Sequence, residues 1–191
     1  MPAPFVRDAP TGFRLTVPRD WTEFDLTGEQ LSALRRSLKD RVPPGSRHSA
    51  DQLMKKLAAM GDHARTHGAK FAAGTAAVYD DGLFLAQTMV FSLRPPGGDA
   101  RSLLSGLTSK PGRELGTLDI EDVGVVPRVR GTEDIAVGDD AKVRAVVTHT
   151  FIPVPDADNV LVVSCASPNL PHKDALLTLF ETITATFRWE R

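Results

Sequence analysis

One seven-residue run constrains this chain more than any other. Val160-Leu161-Val162-Val163-Ser164-Cys165-Ala166 is almost continuously apolar and rich in β-branched residues. A strand with one wet face alternates apolar and polar side chains. A continuous run instead predicts a strand buried on both faces, with helices or long loops covering both sides of its sheet.

The residues after the run supply one of those covers. Ser167-Pro168-Asn169-Leu170-Pro171 breaks the strand. Asn169 or Leu170 is expected at a helix N-cap, with Pro171 in the first turn, where a missing N–H costs little. Asp174 then suits the positive end of the helix dipole. Leu176, Leu179, Phe180, Ile183 and Phe187 recur at spacings of three and four, which is one apolar stripe. Lys173, Thr178, Glu181 and Thr182 fall mostly on the other side. Burying five such side chains is worth about 1.5–3 kcal/mol each, on the order of 10 kcal/mol gross. That is an upper figure, because the unfolded chain already hides some of the same surface. Set against a typical net stability of roughly 5–15 kcal/mol, the tail is expected to be indispensable to folding.

The chain has 191 residues and no linker-like stretch, which predicts one domain over 1–191. Apolar content of 41% and charged content of 25% fit a globular protein. A formal net charge of −1 argues against nonspecific nucleic-acid binding, which needs a basic face. The opening residues Met1-Pro2-Ala3-Pro4-Phe5-Val6-Arg7-Asp8 hold no apolar signal region or lipidation box, and no run approaches the ~18 apolar residues of a membrane span. Cys165 is the sole cysteine, so no intrachain disulfide points to an oxidising compartment. The expectation is a cytoplasmic protein without a transmembrane segment.

Taken in order, Phe13-Arg14-Leu15-Thr16-Val17-Pro18 alternates and reads as a first strand, and Trp21 with Phe24 as an apolar plug over a sheet edge. Thr27 and Gln30 form a capping-box pattern before the stripe Leu31, Leu34 and Leu38. A second helix is expected after Ser49, burying Leu53, Leu57 and Met60 and running toward His67. Residues 71–79 and 83–93 read as two strands of a hairpin around Asp81-Gly82. Ala72, Gly74 and Ala76 should share one face of the first. Leu85, Met89 and Phe91 should oppose Phe84, Ala86 and Val90 in the second. A short helix is expected from Asp99 or Ala100 to Leu107, after which Pro111-Gly112 is a break. Val123 to Val126 and Ile135 to Val137 read as separate strand pieces around Gly131-Thr132-Glu133. Gly138-Asp139-Asp140 turns into a long strand through Val143, Val147 and Phe151. Short Asp-rich turns between successive strands imply antiparallel pairing. The fold class is therefore α+β, an antiparallel sheet of about six or seven strands sandwiched between helices.

Three stretches give the chain a family likeness. They are the opening Val17-Pro18-Arg19-Asp20-Trp21, the hairpin from Val137 to Arg144, and the close of apolar strand, Ser-Pro dipeptide and Leu176-Leu177-Thr178-Leu179-Phe180-Glu181-Thr182-Ile183. In these and in element order, over nearly its whole length, the chain resembles the PsbP-like superfamily of α/β/α sandwich proteins. That group includes Ran-binding Mog-type proteins and bacterial LpqN-type lipoproteins. The resemblance implies binding or assembly without enzymatic activity, and it supplies no catalytic residues to carry over. The missing signal and lipobox set this chain apart from the bacterial lipoproteins.

Each candidate site has a plainer reading beside it. His63 and His67 stand one helical turn apart and could ligate zinc with Asp62 or His48 as a third ligand, yet that spacing also suits the polar end of a helix. Asp156-Ala157-Asp158-Asn159 opens like a calcium loop, but Val160 and Leu161 stand where later positions need an oxygen ligand and a glycine, so it is a turn. Cys165 could pair with His149 of the preceding strand as nucleophile and base, or both could simply pack. Asp119, Glu121, Asp122, Glu133 and Asp134 could gather at one end of the sheet as an acidic patch for a basic partner. With Arg128 and Arg130 as near, solvated mixed charge is the preferred reading. No catalytic, cofactor or metal residue is assigned. The expected function is a noncatalytic protein-binding or assembly module. A small-molecule or lipid carrier with an apolar pocket from Leu53, Leu57, Met60 and Met89 is the alternative, and an enzyme using Cys165 or the paired histidines is third.

Overall fold

The computed structural model of the chain describes residues 9–24, 66, 68–79, 82–95, 111–137 and 141–191. Its body is one seven-stranded sheet in which every neighbouring pair is antiparallel. The strands are β2 (Thr22–Glu23), β3 (Ala69–Tyr79), β4 (Gly82–Leu93), β5 (Arg113–Ile120), β6 (Gly124–Val137), β7 (Ala141–Pro153) and β8 (Val160–Ser167), in the spatial order β2-β3-β4-β8-β7-β6-β5. A 3₁₀ turn at Leu170–His172 leads into helix α1 (Lys173–Ala185). Two further strands, β1 (Gly12–Arg14) and β9 (Arg188–Glu190), form a separate ribbon.

The apolar run is β8, and it occupies the middle of the sheet between β4 and β7. Seven of its eight residues are buried, all but Ser164. Leu161, Val163 and Cys165 face α1, where they join Leu176, Phe180, Ile183 and Phe187 in the main core. Val160 and Val162 point the other way and cluster with Val129 and Phe151, while Ala166 clusters with Ala145 and Val147. The cross-strand pair His149 and Ser164 separates these two groups. Both faces of β8 are thus dry, as its composition requires. Among the described residues, α1 is the only helix longer than a turn and covers one face. The helices expected near 27–38, after Ser49 and from Asp99 or Ala100 to Leu107 lie outside the described residues.

The tail holds its expected stripe, with one difference. Leu176, Phe180 and Ile183 are buried on α1, and Phe187 is buried just beyond it, whereas Leu179 is only partly covered. Phe187 stacks on Phe13 at 5.5 Å and meets Trp189 edge-on at 4.9 Å, which fastens the β1–β9 ribbon to the core. Asn169 holds the expected N-cap position, with Pro171 just inside, but of the 3₁₀ turn that leads into α1, and its side chain caps no helix N–H. Its Oδ1 accepts the Leu85 N–H at 2.9 Å, tying the turn back to β4, and the helix begins only at Lys173.

Three strand expectations change. The opening strand is only three residues long and pairs with β9 outside the main sheet, because Leu15 turns into the core at 8% exposure. The two pieces around Gly131 are one fourteen-residue strand, β6. Gly131 stays in its ladder at a φ of +146°, where a Cβ would meet the Gly112 carbonyl oxygen at 2.0 Å, so glycine continues the strand here instead of ending it. β5 was not expected at all. At the other edge β2 pairs with β3, but the expected plug is divided: Trp21 is buried in the main core on the α1 side, while the Phe24 ring lies on the opposite face, 3.2 Å from where a Cβ at Gly74 would stand.

Candidate functional site

Strand alternation decides the proposed Cys165–His149 pair. Cys165 lies opposite Thr148, and His149 lies opposite Ser164, so the thiol and the imidazole occupy opposite faces of the sheet. Cys165 is fully buried under α1, and its Sγ donates to Thr88 Oγ1 at 3.3 Å. Burial pushes the thiol above its ordinary value, against smaller downward pulls from the hydroxyls of Thr88, Thr148 and Thr184. A thiol so placed is neither ionised nor reachable at neutral pH.

His149 belongs to another constellation. Arg113 lies opposite Gly131, which leaves space on the face away from α1. Glu133 fills it, pairing with Arg113 and bringing Oε1 to 3.7 Å from His149 Nε2. The Arg113 side chain is 2% exposed, and burial lowers its pKa from the ordinary arginine value. Arg113 and Glu133 thus form an ion pair between two strands beside the apolar clusters, with the imidazole of a third strand next to it. Pairing keeps such charges tolerable away from water.

The acidic residues do not form one patch. Asp119, Glu121 and Asp122 cluster where β5 turns into β6, while Glu133 and Asp134 lie nine or more residues along β6, about 30 Å away. Most carry a cation. Glu121 meets Arg188, Asp134 meets Arg144 at 3.5 Å, and Glu114 meets Arg130 at 3.4 Å. Arg128, buried on the helix side of β6, donates to Glu181 of α1 at 2.7 Å. Residues 155–158 form the turn between β7 and β8, closed by Val154 N–H donating to Asn159 O at 3.2 Å. His63, His67, Asp62, His48, Leu53, Leu57 and Met60 lie outside the described residues, while Met89 sits half-buried on β4. No group of three or more His, Cys, Asp or Glu among the described residues could hold a metal ion. No helix among them is long and apolar enough to cross a membrane.

What remains is the β5 side of the molecule. β5 is the terminal strand of the sheet, with no strand on its outer side among the described residues. Glu114, Leu115, Thr117 and Asp119 are exposed along it, Leu115 at 61%, and Val125 on the adjoining β6 is exposed at 69%. Leu115 and Val125 share the face away from α1, because Leu115 lies opposite Val129, four residues on from Val125. On the α1 side the edge borders an open groove lined by Arg14, Leu118, Asp119, Thr182, Ala185 and Arg188. A terminal strand with no neighbour on its outer side among the described residues, and with apolar side chains beside it, is a surface suited to add another strand.

Comparison with known proteins leaves the chain without an assigned family. No family model matches the sequence, and no curated protein matches it. The crystal structure of LpqN, involved in cell envelope biogenesis of Mycobacterium tuberculosis, superposes with a TM-score of 0.48 at 10% identity, covering 95% of this chain and 86% of that chain. A likeness of that degree carries no argument about what this chain does.

Proposed function

We propose that the chain is a noncatalytic protein-binding or assembly module, which engages its partner along the β5 edge. The observation that carries this reading is the coincidence of a terminal strand with exposed Leu115 and Val125 beside it. Natural sheets blunt or cover their edges to avoid unwanted pairing. An edge left with apolar neighbours is suited to use. The inaccessible Cys165 and its separation from His149 remove the nucleophile–base pair that the sequence had offered. Kinship with the PsbP-like superfamily, a second cover over the face opposite α1, and a cytoplasmic location belong to the same reading. The dryness of both faces of β8 supports the second cover.

The test is gentle isolation of the full chain from its own cells, followed by native mass spectrometry. The proposal expects a second polypeptide at fixed stoichiometry. Recovery of the chain by itself would overturn it, and a bound mass of a few hundred daltons would favour a carrier.

A further inference from the structure

We infer that the β5 edge takes an extended, basic-ended peptide segment of a partner protein, laid antiparallel along residues 114–119. This deepens the binding reading above and rests on it. The backbone supplies the first argument, since strand addition satisfies the outer N–H and C=O groups of a terminal strand whatever the sequence of the newcomer. The side chains then select. Glu114 and Asp119 set a carboxylate near each end of the stretch, on opposite faces because they are five residues apart. Asp119 has no ion pair among the described residues. Glu114 holds only an exposed contact with Arg130, a kind of pair worth little. Glu121 and Asp122 continue the negative charge past the end of the strand, Glu121 sharing Arg188.

Between the two carboxylates the strand offers apolar contact and room. Leu115 is exposed on one face. Leu118 lines the groove beside α1 on the other. At Gly116 an added Cβ would meet nothing within 4 Å, so a bulky residue fits across from it. Cross-strand pairing rules give the complement, basic opposite Asp119, apolar opposite Leu118, β-branched opposite Thr117, aromatic opposite Gly116, apolar opposite Leu115 and basic opposite Glu114.

The experiment adds a capped peptide, Lys-Val-Thr-Phe-Val-Lys, to the full chain at millimolar concentration. Its control is Glu-Val-Thr-Phe-Val-Glu. Binding is followed by titration and by amide hydrogen exchange. The basic peptide is expected to slow exchange at residues 114–119 and to bind at least tenfold more tightly than the acidic one. The double variant E114K/D119K is expected to reverse that preference. Equal affinity for the two peptides, binding of neither, or protection elsewhere in the chain would overturn the inference. A native partner whose affinity is untouched by E114K/D119K would retire the basic-ended peptide and leave binding along the β5 edge standing, whereas the absence of any partner retires both.

Discussion

Phe180→Ala is the substitution that bears hardest on the packing of α1 against the sheet. Phe180 is 0% exposed and lies in the main core with β8 residues Leu161, Val163 and Cys165. A buried aromatic side chain removes about 150–250 Å² from water, which at about 25 cal/mol per Å² amounts to roughly 4–6 kcal/mol. Alanine retains part of that burial but leaves a void, so the expected cost is about 3–5 kcal/mol. Leu179→Ala is an internal control, because it sits on the same helix and ends in the same residue but starts from a partly buried side chain. Its cost should be less than half as large. Urea unfolding followed by the fluorescence of buried Trp21 and partly buried Trp189 gives both numbers. The midpoint should fall while the slope stays constant. A loss below about 1 kcal/mol for Phe180→Ala, or equal losses at the two positions, would show that α1 does not pack as described.

Three further outcomes follow from the buried polar groups. Cys165 should resist a thiol reagent in the folded protein and react stoichiometrically once urea unfolds it; rapid labelling under native conditions would contradict its burial. The raised thiol pKa also makes stability depend on pH. That contribution is complete below the ordinary value of 9.0 and is lost as pH climbs from there toward the folded value, by at most about 1.4 kcal/mol per pH unit, because the unfolded thiol ionises first. Melts between pH 8 and 11 should show a steeper alkaline decline in the wild type than in Cys165→Ala, and identical slopes would refute the assignment. Thr150→Val should stabilise the fold by about 1 kcal/mol, since the Thr150 hydroxyl is buried with no hydrogen-bond partner among the described residues; a loss on chemical denaturation would mean the hydroxyl is satisfied after all.

Much of the sheet was legible because burial writes itself into residue order. β8 announced its central place through unbroken apolarity, and the faces of β3 and β4 followed from alternation, with Phe84, Ala86 and Val90 on one side and Leu85, Met89 and Phe91 on the other. β5 was hidden because an edge strand lacks that signature. Its stretch Arg-Glu-Leu-Gly-Thr-Leu-Asp-Ile buries only Leu118 and Ile120, and Gly116 interrupts what alternation there is. Its one available signal was Leu118-Asp119-Ile120, an alternating triplet abutting the turn at Glu121-Asp122. β6 was split for a related reason, since Gly131 and Pro127 are ordinary strand breakers. Here Pro127 stands where only the β5 ladder is formed, pairing with β7 beginning at Arg128, and Gly131 makes room for the ion pair of Arg113 with Glu133. The candidate edge was invisible from sequence because it depends on which strand ends the sheet, and spatial order is not written in any local pattern.

Native-state hydrogen exchange of the full chain tests most directly the claim that β8 lies at the buried centre of the sheet and β5 at its edge. Amides of β8 should exchange only through global unfolding, at the free energy that denaturant reports, while those of β5 should open locally at a clearly lower one. Protection in β5 equal to that in β8 would contradict the account, and so would fast exchange throughout β8.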